Sequence, residues 1–185
     1  MRIAVLLLVV STSAVGADFR VLDFGDSCAA IGAKEAALGS TRAEWPKLEA
    51  AEVHAFKGPA FQTQVIIGYY CSNDSLLAGN YFFPKGDLEK ALGNYEVAHK
   101  ELASTYGAPF LDDSRWMAPM DSRWLQEDPI RYSTTWKTPR VWVHLSILAL
   151  RDEGKSKGQL QLAIMYTKST ADVSSNKSLE RARGR

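Results

Sequence analysis

The chain is short of cysteine, of net charge and of long apolar runs, and each shortage excludes a class of protein. Two cysteines are too few for a disulfide-dense miniprotein or a four-thiolate zinc site. Lysine and arginine number 22 against 21 aspartate and glutamate. No basic excess exists to neutralise phosphates, so nucleic acid is not an expected partner. Beyond the amino terminus no apolar run approaches the roughly 20 residues that span a bilayer, and no membrane insertion of the mature chain is expected. The three histidines, His54, His99 and His144, show no ligand spacing, so no metal is expected. Gly154-Lys155-Ser156 echoes a phosphate loop, but Ala149 occupies the place of its first glycine, and no cofactor is expected.

What is present points to one folded domain. Hydrophobic residues make up 46% of the chain and aromatics 10%, too apolar a composition for a mainly disordered protein. Arg2, the apolar run Ile3 to Val10 and the small residues Ser11 to Ala17 form an export signal, with Val15-Gly16-Ala17 placing cleavage before Asp18. Residues 18–170 are read as a single globular domain and 171–185 as a loose polar tail. The implied location is periplasmic or secreted. In an oxidising compartment Cys28 and Cys71 read as one disulfide, closing a loop worth about 4 kcal/mol of unfolded-chain entropy. A reactive Cys28 thiolate at a helix start is the other reading.

Arg20 to Phe24 reads as a short strand. Asp26 or Ser27 caps a helix through Leu38, stopped by Gly39, with Cys28, Ile31, Glu35 and Leu38 on one face. Ser40 to Lys47 reads as a loop. Three β-rich runs follow, Val53 to Phe56, Phe61 to Cys71 and Leu76 to Phe83, divided by Gly58-Pro59 and Ser72-Asn73-Asp74. After Pro84 the spacing of Leu88, Leu92, Tyr95, His99, Leu102 and Tyr106 predicts an amphipathic helix ending at Gly107. Ser133 to Lys137, Arg140 to Leu150 and Gln159 to Lys168 are three more β-rich runs. Short connections favour antiparallel pairing. The expectation is an α+β domain with an antiparallel sheet of about six strands and two helices on one face. The order also reads as a tandem helix-three-strand repeat, structural rather than sequential.

Val21-Leu22-Asp23-Phe24-Gly25-Asp26-Ser27 resembles the first block of the GDSL/SGNH esterases. That resemblance implies Ser27 as nucleophile, with Asn73 and Gly79 as oxyanion donors. The family's Gly-x-Asn-Asp block would fall at Cys71-Ser72-Asn73-Asp74, where cysteine replaces glycine, and no Asp-x-x-His lies near the carboxyl end. A serine nucleophile needs a base and an orienting group, so the competing reading is that Asp26 or Ser27 only caps the helix. Phe24-Gly25-x-Ser27, Leu38-Gly39, Leu77 to Phe83 and Leu102-x-x-x-Tyr106-Gly107-x-Pro109 resemble the small exported α+β domains of the outer-membrane assembly lipoprotein and β-lactamase-inhibitor-protein group. This resemblance implies a helix-on-antiparallel-sheet architecture, without the lipid-anchoring cysteine of the assembly lipoproteins.

Two candidate binding features remain. Asp113-Ser114-Arg115-Trp116 is followed eight residues on by Asp121-Ser122-Arg123-Trp124. Arg115 and Arg123 offer planar forks and Trp116 and Trp124 flat apolar faces, suited to a ligand or partner. Equally, the tryptophans can pin the loop to the core. The strand from Arg140 sends Val141, Val143, Leu145 and Ile147 one way and Trp142, His144 and Ser146 the other. With Met165 and Trp136 these form an aromatic, weakly charged sheet face suited to docking, unless the long loop folds over it. The sequence thus reads as an exported non-catalytic domain binding a protein partner or small ligand, such as an inhibitor, immunity or envelope-accessory protein. A Ser27 esterase is the alternative.

Overall fold

The computed structural model describes residues 17–45, 51–113, 132–150 and 159–169. The expected signal segment, both Arg-Trp units and the polar tail lie outside the described residues. Ser27 starts the first helical element: its hydroxyl accepts the Ala29 N–H at 3.2 Å over one 3-10 turn, Cys28–Ala30. Helix α1 continues over Ile31–Ala37, and Gly39 ends it in the left-handed conformation at φ +77°, where a Cβ would be strained. Leu38, placed on the buried face by its spacing, is instead 45% exposed. It falls after the last helical turn, where the 3.6-residue period no longer directs it.

Strand β1 is Thr41–Arg42, β2 Glu52–Ala60, β3 Thr63–Ser72 and β4 Ser75–Phe82. Helix α2 covers Leu88–Tyr106, its first turn capped by the Asp87 carboxylate, which accepts the Lys90 N–H. Then come β5 Leu111–Asp112, β6 Ser133–Lys137, β7 Val141–Leu150 and β8 Gln159–Lys168. The eight strands form one sheet in the order β1-β2-β3-β4-β8-β7-β6-β5, antiparallel at every described pairing. Each half of the chain runs helix, two-residue strand, three long strands, and the last strands of the halves, β4 and β8, join the sheet.

The expected α+β antiparallel architecture is present, but with eight strands rather than six. The two extra strands, β1 and β5, sit at the edges and are two residues long, too short to carry any alternation a sequence could display. Gly58-Pro59 does not divide two strands. Both residues lie inside β2, and the reversal falls at Phe61-Gln62, with φ +48° and +58°. Pro59 has no N–H to give to a neighbour, and β1 pairs β2 only at Lys57 and Phe56, so on this outer edge nothing is lost. The second reversal, Asn73-Asp74, has the same left-handed pair of residues, the turn geometry that matches strand twist.

Register fixes which face each residue takes. Phe56, Ile67, Tyr81, Ile164 and Leu145 lie in one row and face the helices, with Ile31 of α1 and Tyr95, Ala98 and Leu102 of α2 in the same core. Both helices therefore cover one face of the sheet. Phe19 stands at the centre, its ring 5.0 Å from Tyr69 and 5.1 Å from both Tyr81 and Tyr166. Gly79 makes this possible, because a Cβ there would stand 2.2 Å from the Phe19 ring. Cys28 and Cys71 are joined in a disulfide that ties the first helical turn to the end of β3. Among the described residues no helix is long and apolar enough to cross a membrane.

Candidate functional site

The face of the sheet away from the helices is the candidate site. A continuous row crosses it: Ala55, Gly68, Asn80, Met165, His144, Thr135 and Leu111. The next row is Val53, Tyr70, Ala78, Thr167, Trp142 and Lys137. On the other side run Lys57, Ile66, Phe82, Ala163, Ser146 and Ser133. Ala78 leaves the backbone low between Tyr70 and Trp142, with Ala55, Gly68 and Ala163 in the flanking rows, while Met165 and His144 stand half-buried in the middle. No aspartate or glutamate is among the strand residues that register directs to this face. Lys57 and Lys137 lie near its opposite edges, next to β1 and β5.

Of the residues singled out from sequence, Trp142 and His144 stand here. Trp142 donates its indole N–H to Ser169 Oγ at 3.1 Å, and His144 Nδ1 pairs with Thr135 Oγ1 at 2.9 Å. These bonds fix both rings while leaving each side chain partly accessible. Lys137 Nζ lies 4.7 Å from the Trp142 ring centroid and 5.7 Å from that of Phe110, an ammonium held over two aromatic faces. Phe110 and Leu111 beside it are 67% and 50% exposed, and no periodicity marked either one. At the far side Trp45 packs its ring 5.1 Å from Phe82. Asn80 donates its amide to the Tyr70 hydroxyl at 3.3 Å, and burial raises the Tyr70 pKa.

Trp136 was expected with this group and is not part of it. It pairs with Val143, is 1% exposed, and donates its indole N–H to the Gly107 carbonyl at 3.0 Å. β6 pairs with β7 in a register that places Trp136 opposite a core residue, and a one-residue difference in register decides the face. Arg115, Trp116, Arg123 and Trp124 lie outside the described residues.

The serine of the esterase-like block has another task. Ser27 Oγ accepts the Ala29 N–H and donates to the Asp74 carboxylate at 2.6 Å, tying the helix start to the β3–β4 turn. The histidines stand elsewhere: His54 Nε2 faces Glu52 at 3.2 Å, His144 faces Thr135, and the His99 ring lies between Tyr95 and Trp136. His99 lies on the apolar stripe of α2, as its spacing predicts. It is packed, with Nε2 4.0 Å from Asp112 Oδ2, beyond hydrogen-bond length. Gly79, the proposed oxyanion donor, is the seat of Phe19. Among the described residues no three His, Cys, Asp or Glu side chains gather to hold a metal.

The one buried ionic cluster lies in the core among the described residues and is structural. Glu35, fully buried, accepts from Arg20 Nε at 2.6 Å and from the Tyr69 hydroxyl. Arg20 also reaches the Pro59 carbonyl and Ser40 Oγ, both at 3.3 Å. Burial, reinforced by the neighbouring Glu35 carboxylate, raises the Tyr69 pKa well above its ordinary value; burial pushes Tyr81 up to about 12. Arg20 has φ +50°, a conformation costing a non-glycine residue about 1–2 kcal/mol, and its bond to Glu35 holds it there. Comparison with known proteins finds no match: no family model, no curated protein and no solved structure aligns with this chain.

Proposed function

We propose that this is an exported, non-catalytic domain that docks a protein partner on the open face of its sheet, around Trp142, His144 and Met165. The observation that carries the reading is the asymmetry of the sheet: among the described residues both helices cover one face, while the other presents the hydrogen-bonded rings of Trp142 and His144 and the thioether of Met165, all half-buried. Protein interfaces are built this way, with an apolar, charge-poor centre enriched in Trp, Tyr and Met and a polar rim. Lysines near both edges and no strand carboxylate favour a partner whose patch is apolar at its centre and acidic at its margin. Export is supported by the apolar amino-terminal segment with small residues before Asp18 and by the pairing of the chain's two cysteines. The resemblance to exported helix-on-sheet domains accords with the same reading and with an inhibitor, immunity or envelope-accessory role.

The test is capture from an envelope extract by the immobilised domain. Trp142→Ala and Met165→Asp should each abolish capture of a protein that wild type retains in proportion, with circular dichroism and melting temperature showing an intact fold. Lys90→Ala, on α2 across the sheet, should leave capture unchanged. Capture that survives both substitutions on the open face removes that face as the interface. A fluorophosphonate probe labelling wild type but not Ser27→Ala would replace the reading with a serine hydrolase.

A further inference from the structure

The segment Arg20 to Phe24 is not the strand expected but part of a tight amino-terminal hairpin closed by the bridge between Phe19 and Leu22, and this hairpin carries a charge cluster one positive charge short of balance. Asp18 Oδ1 pairs with Arg140 Nε at 2.9 Å and Asp23 Oδ1 with Arg140 Nη2 at 2.8 Å, so two carboxylates share one guanidinium. The backbone N–H of Asp18 also donates to Asp23 Oδ1 at 3.0 Å. Asp18 Oδ2 accepts the Phe24 N–H at 3.1 Å, which fixes the residue in place. Asp26 stands behind, accepting the Asp23 N–H at 3.0 Å. Lys34 reaches the same hairpin only at the Val21 carbonyl, and Tyr106 approaches Asp18 from the end of α2. An anionic pocket thus surrounds the nitrogen of Asp18, the residue that follows the small-residue segment 15–17.

We propose that the Ala17–Asp18 bond is a processing site and that the α-ammonium it releases is a structural ligand of Asp23. The inference rests on reading residues 1–17 as an export signal. Hydrolysis adds one water across the bond: hydroxyl goes to the Ala17 carbonyl carbon, the C–N bond breaks, and a proton goes to the Asp18 nitrogen. The new carboxylic acid then loses its proton and the amine takes one up. An uncharged amide donor becomes an ammonium at the same position, still within reach of Asp23 Oδ1, and the Asp18–Asp23–Arg140 cluster becomes neutral. Charge-assisted hydrogen bonds are the stronger kind, and this one joins the mature terminus to Asp23, whose carboxylate Arg140 of the β6–β7 turn also holds.

Two experiments separate the halves. Mass and amino-terminal sequencing of exported protein should give Asp18 as first residue; a leader removed at another bond overturns the processing site alone, and a chain still starting at Met1 overturns the export reading as well. The ammonium seat is tested on purified protein released from a removable tag with Asp18 first, beside the same protein carrying Gly-Ser ahead of Asp18. The Asp18-first form should melt about 1–4 °C higher at low salt, with the difference shrinking near about 1 M salt. Its α-amine should titrate above that of an unstructured amino-terminal peptide. Both effects should vanish in Asp23→Asn. Equal melting temperatures, or a difference that persists in Asp23→Asn, overturns the seat whatever the cell's cleavage point.

Discussion

Reducing the Cys28–Cys71 disulfide isolates one contribution to stability whose size the chain itself sets. The two sulfurs are 43 positions apart in sequence. Closing a loop of that length removes about 4 kcal/mol of conformational freedom from the unfolded chain. Both cysteines are buried, 3% and 1% exposed, between the first helical turn and the end of β3, so reduced thiols can keep their places and the native state changes little. For a domain of this size each kcal/mol moves the melting temperature by roughly 2–4 °C, and the reduced protein should melt about 8–16 °C lower. Urea unfolding adds a second readout. The uncrosslinked unfolded chain expands, so the midpoint should fall while the slope m rises. Cys28→Ala with Cys71→Ala should cost somewhat more than reduction, because it also removes buried sulfur from the core. A loss below about 3 °C on reduction, or an unchanged m with a lowered midpoint, would refute the chain-entropy argument and move the stabilisation into the native state.

Two further perturbations test the core. Gly79→Ala should destabilise by about 2–4 kcal/mol, because its Cβ would stand 2.2 Å from the Phe19 ring and that ring is wedged among three tyrosines; chemical denaturation checks this, and near-wild-type stability would mean that Phe19 moves freely. Tyr69, Tyr81 and Tyr166 have folded pKa values raised, first by burial, so the native state holds their protons longer than the unfolded chain does. Their contribution is fully present below the unfolded value near about 10 and is lost as pH climbs through the folded values. Tyrosinate absorbance should therefore appear together with loss of circular dichroism above about pH 10, and Tyr81→Phe should shift that transition upward. Smooth ionisation of all seven tyrosines before unfolding would contradict it.

The sequence by itself determined the parts whose cause is local or periodic. Strict alternation along Val141 to Ile147 and Leu160 to Tyr166 identified the buried face of two central strands, because successive side chains in a strand must point oppositely. Steps of three and four located α2, and Asn73-Asp74 marked a reversal because its residues tolerate left-handed backbone. The cysteine pair followed from its number and the oxidising compartment that the amino-terminal segment led us to expect. Tertiary structure decided whatever depends on a partner far along the chain. Trp136 is core because the β6–β7 register sets it opposite Val143, whereas Trp142 takes the other face by the alternation of its own strand. On α2, Ala91 and Ala98 join Tyr95 and Leu102 in the buried stripe, while Leu88 and Leu92 pack at its margin, because the sheet beneath decides which part of the apolar face lies deepest. Arg20, Glu35 and Tyr69 carry no common motif, and only packing α1 over β3 brings them together. Glu35 was legible as one face of a helix, but a buried carboxylate is understood only once its guanidinium is in place. Phe110 joins Lys137 and Trp142 for the same reason: it leads into β5, an edge strand two residues long whose existence is a property of the sheet.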